Sequence, residues 1–269
     1  MMKFPSRTES RPLTLETASS ALPALLAGMA TVAVLLVAVA QYTELDQWLA
    51  ALYYDPQLRD FPWRNSWFAT AFMHGHVKNA IVWLGFLLLG ATVLDLLFKL
   101  PGISARHRAQ LRIVTLAAFL VPNVIKALKQ QSSLQCPWSI DRYGGSEPLL
   151  RLFDAVPAGW HDGHCFPAGH ASSGMWLIAL AVFWLPTQPR RAFAAYLAGL
   201  TAGMALGWVQ QMRGAHFLTH TLWTAWIASA LLLALIAVFA RPLFAAPERQ
   251  PAAECSGREY PACAAGSAE

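Results

Sequence analysis

The chain has 269 residues, of which 56% are hydrophobic and 13% charged, and its formal net charge is +5. Soluble proteins carry about 25% charged residues. Because the hydrophobic residues come in long runs, a soluble protein with buried helices would keep too little polar surface, and that class is disfavoured. The positive charge fits attraction to anionic membrane lipids and requires no nucleic acid as a partner.

The hydrophobic runs predict an all-α membrane protein, a bundle of six transmembrane helices, since a helix needs about 20 apolar residues to cross the bilayer core. We divide the chain into a cytoplasmic tail (1–20), the membrane domain (21–241) and a disordered cytoplasmic tail (242–269). The first run is longer than a signal-peptide core, so we expect it to remain as an uncleaved helix. The six predicted spans are Leu22–Gln41, Ala80–Leu97, Leu111–Leu128, Ala171–Leu185, Phe193–Val209 and Leu222–Ala240.

Two of these spans are irregular in sequence. The third contains Pro122, which predicts a kink or a break. The fourth is short if it begins at Ala171. We therefore expect "PAGH", residues 167–170, to form its first turn.

The loop charges predict which ends of the spans are cytoplasmic, because Lys and Arg concentrate in short cytoplasmic loops. The loop after the second span, "FKLPGISARHRAQLR" at residues 98–112, is rich in both, and six spans place it on the same side as the two termini. Seven of the eight histidines then lie on the opposite side, with His107 as the exception. This division indicates that the chemistry is extracytoplasmic.

Three polar stretches at the ends of different predicted helices share that extracytoplasmic face. They are "KALKQQSSLQCPWSIDRYGG" (126–145), "HCFPAGHASSG" (164–174) and "QQMRGAHFLTHTLW" (210–223). The side chains that they would bring together are Lys129, Arg142, His170, Arg213, His216 and His220.

This set of side chains suits an anionic substrate. Lys and Arg bind phosphate oxygens, and a helix that starts at "PAGH" offers free backbone N–H groups, with Gly169 allowing close approach. Two histidines can act as nucleophile and general acid. The stretches hold no cluster of Asp and Glu of the kind that binds magnesium. We therefore expect phosphoryl transfer with no metal and no other cofactor.

Each residue alone also has an ordinary structural interpretation. His170 could simply cap a helix, and Lys129 and Arg213 could anchor to lipid head groups. His74 and His76 fit loop or interface positions better than ligand positions. The proposed site depends on the convergence of the three stretches.

The three stretches resemble the motifs of the type 2 phosphatidic acid phosphatase (PAP2) superfamily, and look like a divergent bacterial subgroup of it. The family pattern is Lys, six residues, Arg-Pro; then Pro-Ser-Gly-His; then Ser-Arg, five residues, His, three residues, Asp. Here Lys129 precedes Cys136-Pro137, so Cys replaces Arg, and "PAGH" has Ala168 in place of Ser. In the third motif His216 fits the histidine, His220 replaces Asp, and Gln210 replaces Arg.

The resemblance implies a mechanism through a phosphohistidine. His216 would attack phosphorus, and His170 would protonate the leaving oxygen and then activate water. Lys129, Arg213, Arg142 and the Gly169 backbone would bind the phosphate, with Arg213 in place of the missing arginine. The family's Asp orients the nucleophile, a role that falls here to His220 as a neutral acceptor or to a carboxylate, with Asp141, Asp154 and Asp162 as candidates.

The four cysteines divide between the two sides of the membrane. Cys136 and Cys165 lie in the extracytoplasmic loop, where disulfides form, and we expect them to be bonded. Two unpaired thiols or zinc binding at Cys165 are the alternatives. Cys255 and Cys263 lie in the predicted cytoplasmic tail and should stay reduced.

We therefore expect a phosphatase of the bacterial inner membrane that acts at the periplasmic face on a lipid phosphate or diphosphate. A lipid phosphotransferase would use the same intermediate, so the sequence does not separate the two activities. A metal- or lipid-binding membrane protein without catalysis is the alternative from a different class. The expected partners are the phosphorylated lipid and the surrounding membrane lipids.

Overall fold

The computed structural model describes residues 12–245, which form helices joined by loops. Two helices change their helix type along their length. The π-helix Phe68–Val77 leads directly into the α-helix Lys78–Phe98, and the α-helix Gly169–Met175 continues as the 3₁₀ helix Trp176–Trp184. The helices are α1 (Leu15–Tyr42), α2 (Leu45–Ala51), α3 (Lys78–Phe98), α4 (Ala105–Lys129), α5 (Gly169–Met175), α6 (Pro189–Met212), α7 (Leu218–Val238) and α8 (Ala240–Phe244).

Within residues 12–245, five helices are long and apolar enough to cross a membrane: α1, α3 with its π-helical start, α4, α6 and α7. Large apolar side chains on α1 and α3 face outward, among them Val34 at 66% exposure and Leu87 at 70%. Exposed apolar surface marks a face that contacts a membrane or another protein, and on helices of this length it fits lipid. An all-α membrane fold is therefore confirmed.

The fourth predicted span forms a shorter and more central element than we expected. It consists of seven α-helical residues followed by nine 3₁₀ residues, and most of its side chains are buried against α4, α6 and α7. A 3₁₀ helix rises about 2.0 Å per residue against 1.5 Å for an α-helix, so the pair reaches about 28 Å, close to the thickness of the bilayer core. The Gln110 side chain donates to the carbonyls of Val182 (2.8 Å) and Leu185 (2.9 Å) at its end.

Other predicted boundaries need correction. α4 runs continuously through Pro122, so the predicted break is absent, and Asn123 donates to the Phe119 carbonyl at 2.7 Å there. α1 begins at Leu15 inside the predicted N-terminal tail, with Thr14 as its cap. α8 occupies the start of the predicted C-terminal tail, whose remaining residues 246–269 lie outside the described part of the chain, as do residues 1–11.

The antiparallel order of the helices brings six helix ends to one face of the bundle. They are the ends of α1, α4 and α6 and the starts of the π-helix, α5 and α7. α2 and the loop over residues 130–168 cover this face, through a small core that includes Phe61, Tyr143 and Phe217. The main core lies deeper, between α4, α5 with its 3₁₀ extension, α7 and α8.

α6 packs backbone against backbone on the 3₁₀ extension of α5. A Cβ atom at Gly199 would lie 2.5 Å from the backbone nitrogen of Ile178 and 2.5 Å from the carbonyl carbon of Leu177. Small residues allow helices in membranes to approach this closely. The site on the covered face depends on this contact because α5 carries Gly169 and His170. Pro167 and Ala168 precede the helix, so only the second half of "PAGH" lies in the first turn that we expected it to form.

Gly199→Ala should therefore destabilise the protein, by about 1–3 kcal/mol, because the neighbouring backbone cannot move aside easily. Gly90→Ala on α3 is the matched control, since nothing lies within 4 Å of its added Cβ. The measurement is the melting temperature of both variants in detergent. Equal melting temperatures would contradict the packing described here.

Candidate active site

The candidate site lies where the end of α4 meets the starts of α5 and α7 and the end of α6. Lys129 is the last residue of α4 and lies beside Gly169, the first residue of α5. A Cβ atom on Gly169 would lie 3.8 Å from the Lys129 Nζ atom. An ammonium group is thus placed directly over the first turn of α5, whose free N–H groups favour an anion.

The segment before α5, residues 164–168, is fixed by bonds to two neighbouring parts of the chain. The backbone nitrogens of His164 and Cys165 donate to the carbonyls of Ser132 (3.0 Å) and Leu134 (3.1 Å). On the other side, the nitrogen of Ala168 donates to the carbonyl of His220 at 3.1 Å. We call this segment the strap.

A disulfide adds a covalent bond to the strap. Cys136 and Cys165 are bonded, with their Cα atoms 5.3 Å apart. Cys136 follows Lys129 in the first motif, so the bond ties the first motif to the second. The position where the family has an arginine therefore serves as an anchor for the loop.

His216 lies between α6 and α7 and is buried, with 4% of its surface exposed. Its Nδ1 atom is 3.5 Å from the Cys165 sulfur. Burial lowers the pKa of His216 well below its usual range, and the nearby His220 and Lys129 lower it further. The imidazole is therefore neutral near pH 7, as a nucleophile requires.

His170, in the first turn of α5, carries two ring nitrogens that are buried and have no hydrogen-bond partner among the described residues. Its ring stacks on that of His74, with the ring centroids 4.3 Å apart. His74 was expected at a loop or interface position rather than as a ligand, and this stack is an interface contact made from a helix instead of a loop. His74 lies on the π-helix and contacts the site.

Arg213 follows the end of α6 and is fixed by two hydrogen bonds. Its Nη1 donates to Gln210 Oε1 at 2.9 Å, and its Nε donates to the Arg64 carbonyl at 3.0 Å. The Gln210 side chain is buried and its Nε2 has no partner among the described residues. Gln210 occupies the position of the family's arginine, and the structure pairs it with Arg213.

His220 lies in the first turn of α7, but no hydrogen bond joins it to His216 among the described residues. The two ring centroids are 5.8 Å apart, and the Nδ1 atom of His220 has no partner in that part of the chain. The structure thus places His220 beside His216 without the direct bond that we expected.

The three carboxylates considered as orienting groups make other contacts or none. Asp154 accepts from Gln41 and from the Arg151 nitrogen, each at 2.9 Å, and Asp141 accepts from the nitrogen of its neighbour Arg142. Asp162 has no side-chain hydrogen bond within residues 12–245. None of the three replaces the family's Asp in this structure.

Arg142 is not brought to the site. Its guanidinium donates to Glu44 at 2.9 Å on the surface, and half of the side chain is exposed. The expected role in phosphate binding therefore has no support from its position. The sequence placed Arg142 in the right loop but could not show which way the loop turns.

Asp46 is a buried residue of the site face that the sequence did not reveal. Its carboxylate accepts from the backbone nitrogen of Thr219 at 3.0 Å and also from the Thr219 hydroxyl. Burial raises the pKa of Asp46, and these hydrogen bonds oppose the effect. The carboxylate thereby caps the start of α7, although Asp46 lies far from the motifs in sequence.

Cys165, His216 and His220 have donor atoms within 4.8 Å of one another, the arrangement of a candidate metal site. The Cys165 sulfur is part of the disulfide. A disulfide sulfur is not the thiolate that zinc prefers. In this structure the cluster therefore does not fit the zinc alternative.

A family model described as the PAP2 superfamily matches residues 108–243. The chain belongs to the PAP2 superfamily. The match begins in α4 and includes all three motifs. Neither the curated proteins nor the solved structures that were compared gave a match. Members of this superfamily are phosphatases, which places the chain among phosphoester hydrolases in general.

Opening the disulfide should impair this PAP2 site, because it frees the strap next to His216. Cys136→Ser should lower the free energy of unfolding by about 2–5 kcal/mol and lower phosphate release. A reductant should have the same effect on the wild type and none on the variant. Full activity in both the reduced protein and the variant would contradict a positioning role for this bond.

Proposed function

We propose that this PAP2 protein is a metal-independent lipid phosphatase that works through a phosphohistidine at the periplasmic face of a bacterial inner membrane. The observation that carries the proposal is the convergence of two buried histidines and a lysine at the ends of four helices. His216 is neutral and His170 has two unpaired ring nitrogens, while Lys129 lies over the first turn of α5.

In this proposal His216 is the nucleophile. A neutral ring nitrogen attacks phosphorus, the bond to the leaving oxygen breaks, and a phosphohistidine forms. His170 enters this step as the imidazolium and donates its proton to the leaving oxygen, which leaves the ring neutral. Water then attacks the phosphohistidine, His170 takes its proton, and phosphate and free His216 are released.

Five groups would hold the phosphate. Lys129 supplies a positive charge, and the N–H groups of Gly169 and His170 face outward from the first turn of α5. Arg213 supplies the second charge, and the free amide nitrogen of Gln210 can donate beside it. Gln210 and Arg213 together would replace the arginine of the family's third motif.

A cavity beside Lys129 supports a lipid as the substrate. It has a volume of about 370 Å³ and lies between α3, α4 and α5. Lys129 and Gly169 line it, together with Lys78 and Lys126, and its aromatic lining is Phe86, Phe119 and Trp176. A phosphate beside Lys129 would leave room for an apolar chain along the aromatic side chains.

A phosphotransferase is the second candidate function, because a lipid hydroxyl or phosphate could replace water as the acceptor of the phosphoryl group. A membrane protein that binds metal or lipid without catalysis is the alternative from another class. The replacement of the family's Arg, Ser and Asp at Cys136, Ala168 and His220 favours it. The unpaired nitrogens of His170 favour catalysis.

The deciding experiment incubates the purified protein with a panel of lipid phosphates and diphosphates in the presence of a chelator. We expect phosphate release, and we expect it to be lost in His216→Ala and His170→Ala, both of which should remain folded. Loss of activity with the chelator would exclude the metal-independent mechanism. Activity in either variant would exclude the roles given to these histidines, and product analysis with an added lipid alcohol separates hydrolase from transferase.

The pH dependence provides a separate test of His216. A lowered pKa keeps the imidazole neutral as the pH falls, so the acid side of the kcat/KM profile should lie below the ordinary histidine value of 6.5. Profiles measured with two substrates whose phosphates have different pKa values distinguish ionisation of the enzyme from ionisation of the substrate. An acid-side loss of activity, on lowering the pH, that is centred at or above pH 6.5 with both substrates would contradict a neutral, buried nucleophile.

A further inference from the structure

We propose that His74 is a positioning residue of the active site that holds the His170 ring in its reactive orientation by stacking. The inference rests on the proposed function, because it assigns His170 the transfer of a proton. His74 lies outside residues 108–243, which match the family model. His74 belongs to the π-helix before α3, and it would therefore be a part of the site that none of the three motifs supplies.

The stacking geometry is well defined. The centroids of the two rings are 4.3 Å apart and the ring planes differ by 21°. Aromatic pairs at such distances attract each other beyond the effect of burial alone. One face of the His170 ring is thus covered, while its edge, which carries both nitrogens, is not used by the stack.

The His170 ring needs such a restraint. Rotation of a histidine ring about its last side-chain torsion is only weakly restricted, and catalytic histidines are commonly oriented by a hydrogen bond to one ring nitrogen. No hydrogen bond reaches either ring nitrogen of His170 in residues 12–245. The stack fixes the plane of the ring and leaves both nitrogens free for the substrate and for water.

The π-helix explains how His74 comes to face the site. Wider turns add residues to a helix and change the direction of the side chains. The segment Phe68–Val77 has this form and then continues as the α-helix from Lys78. His76 lies in the same segment but has no aromatic or hydrogen-bonded contact to the site among the described residues.

Two other roles for His74 make different predictions. If His74 transferred protons or bound phosphate, its nitrogen atoms would be essential. If it acts by stacking, only its flat ring is essential. Phe keeps a ring and removes the nitrogens, whereas Gln keeps a nitrogen donor and removes the ring, so the two substitutions separate the roles.

The experiment compares His74→Ala, His74→Gln and His74→Phe with His76→Ala as the matched control, using the best lipid phosphate from the panel. We expect kcat to fall roughly 3- to 10-fold in His74→Ala and His74→Gln, with KM changed by less than about twofold. His74→Phe should restore kcat to within about twofold of the wild type. His76→Ala should match the wild type, and size-exclusion profiles and melting temperatures in detergent identify variants that fail to fold.

Several outcomes would overturn the inference. They are full activity in folded His74→Ala, a His74→Phe variant as impaired as His74→Gln, or a loss that appears mainly as a raised KM. The result for His170 separates this inference from the proposed function. If His170→Ala is inactive while folded His74→Ala is fully active, only the positioning role fails; if His170→Ala is active, the proposed mechanism itself fails.

Discussion

The anchoring of the strap is the interaction on which the rest of the site depends. Residues 164–168 form no helix or strand, yet backbone hydrogen bonds to Ser132, Leu134 and His220 hold them from both sides. The disulfide between Cys165 and Cys136 joins the strap covalently to the same loop that contains Ser132 and Leu134. Because α5 begins directly after the strap, these bonds determine where Gly169 and His170 lie relative to Lys129 and His216.

The short fourth segment meets a second constraint, that of the membrane. α5 must place His170 among the ends of α4, α6 and α7, and its chain must still return to the opposite face within 16 residues, Gly169–Trp184. A 3₁₀ continuation gains length per residue, and the Gln110 side chain donates to the carbonyls of Val182 and Leu185 at the end of this helix. The buried contact at Gly199 then supports the segment from the side.

The sequence predicted the elements that follow from periodic hydrophobicity and the site groups that follow from motif spacing. Lys129, Gly169, His170 and His216 come together as expected, since each lies at a helix end on one face. The surface position of Arg142 and the contact of His74 with His170 were not predicted, for the same physical reason. The path of a loop and the turn of a π-helix depend on tertiary packing, which local sequence does not encode, so a loop arginine reached Glu44 and an outlying histidine reached His170.

The replacement at Cys136 separates two tasks that one arginine could perform together, binding phosphate and fixing the first motif. A disulfide fixes the motif without a charge, so in the proposed function the positive charge must come from elsewhere. In that proposal Arg213 supplies the charge, because its bonds to Gln210 and to the Arg64 carbonyl leave the Nη2 nitrogen without a partner among residues 12–245. Two residues that precede the family-matched region also contact the site. Asp46 caps the helix that carries His220, and the His74 ring stacks on His170. A search for function in related chains should therefore include α2 and the π-helix as well as the three motifs.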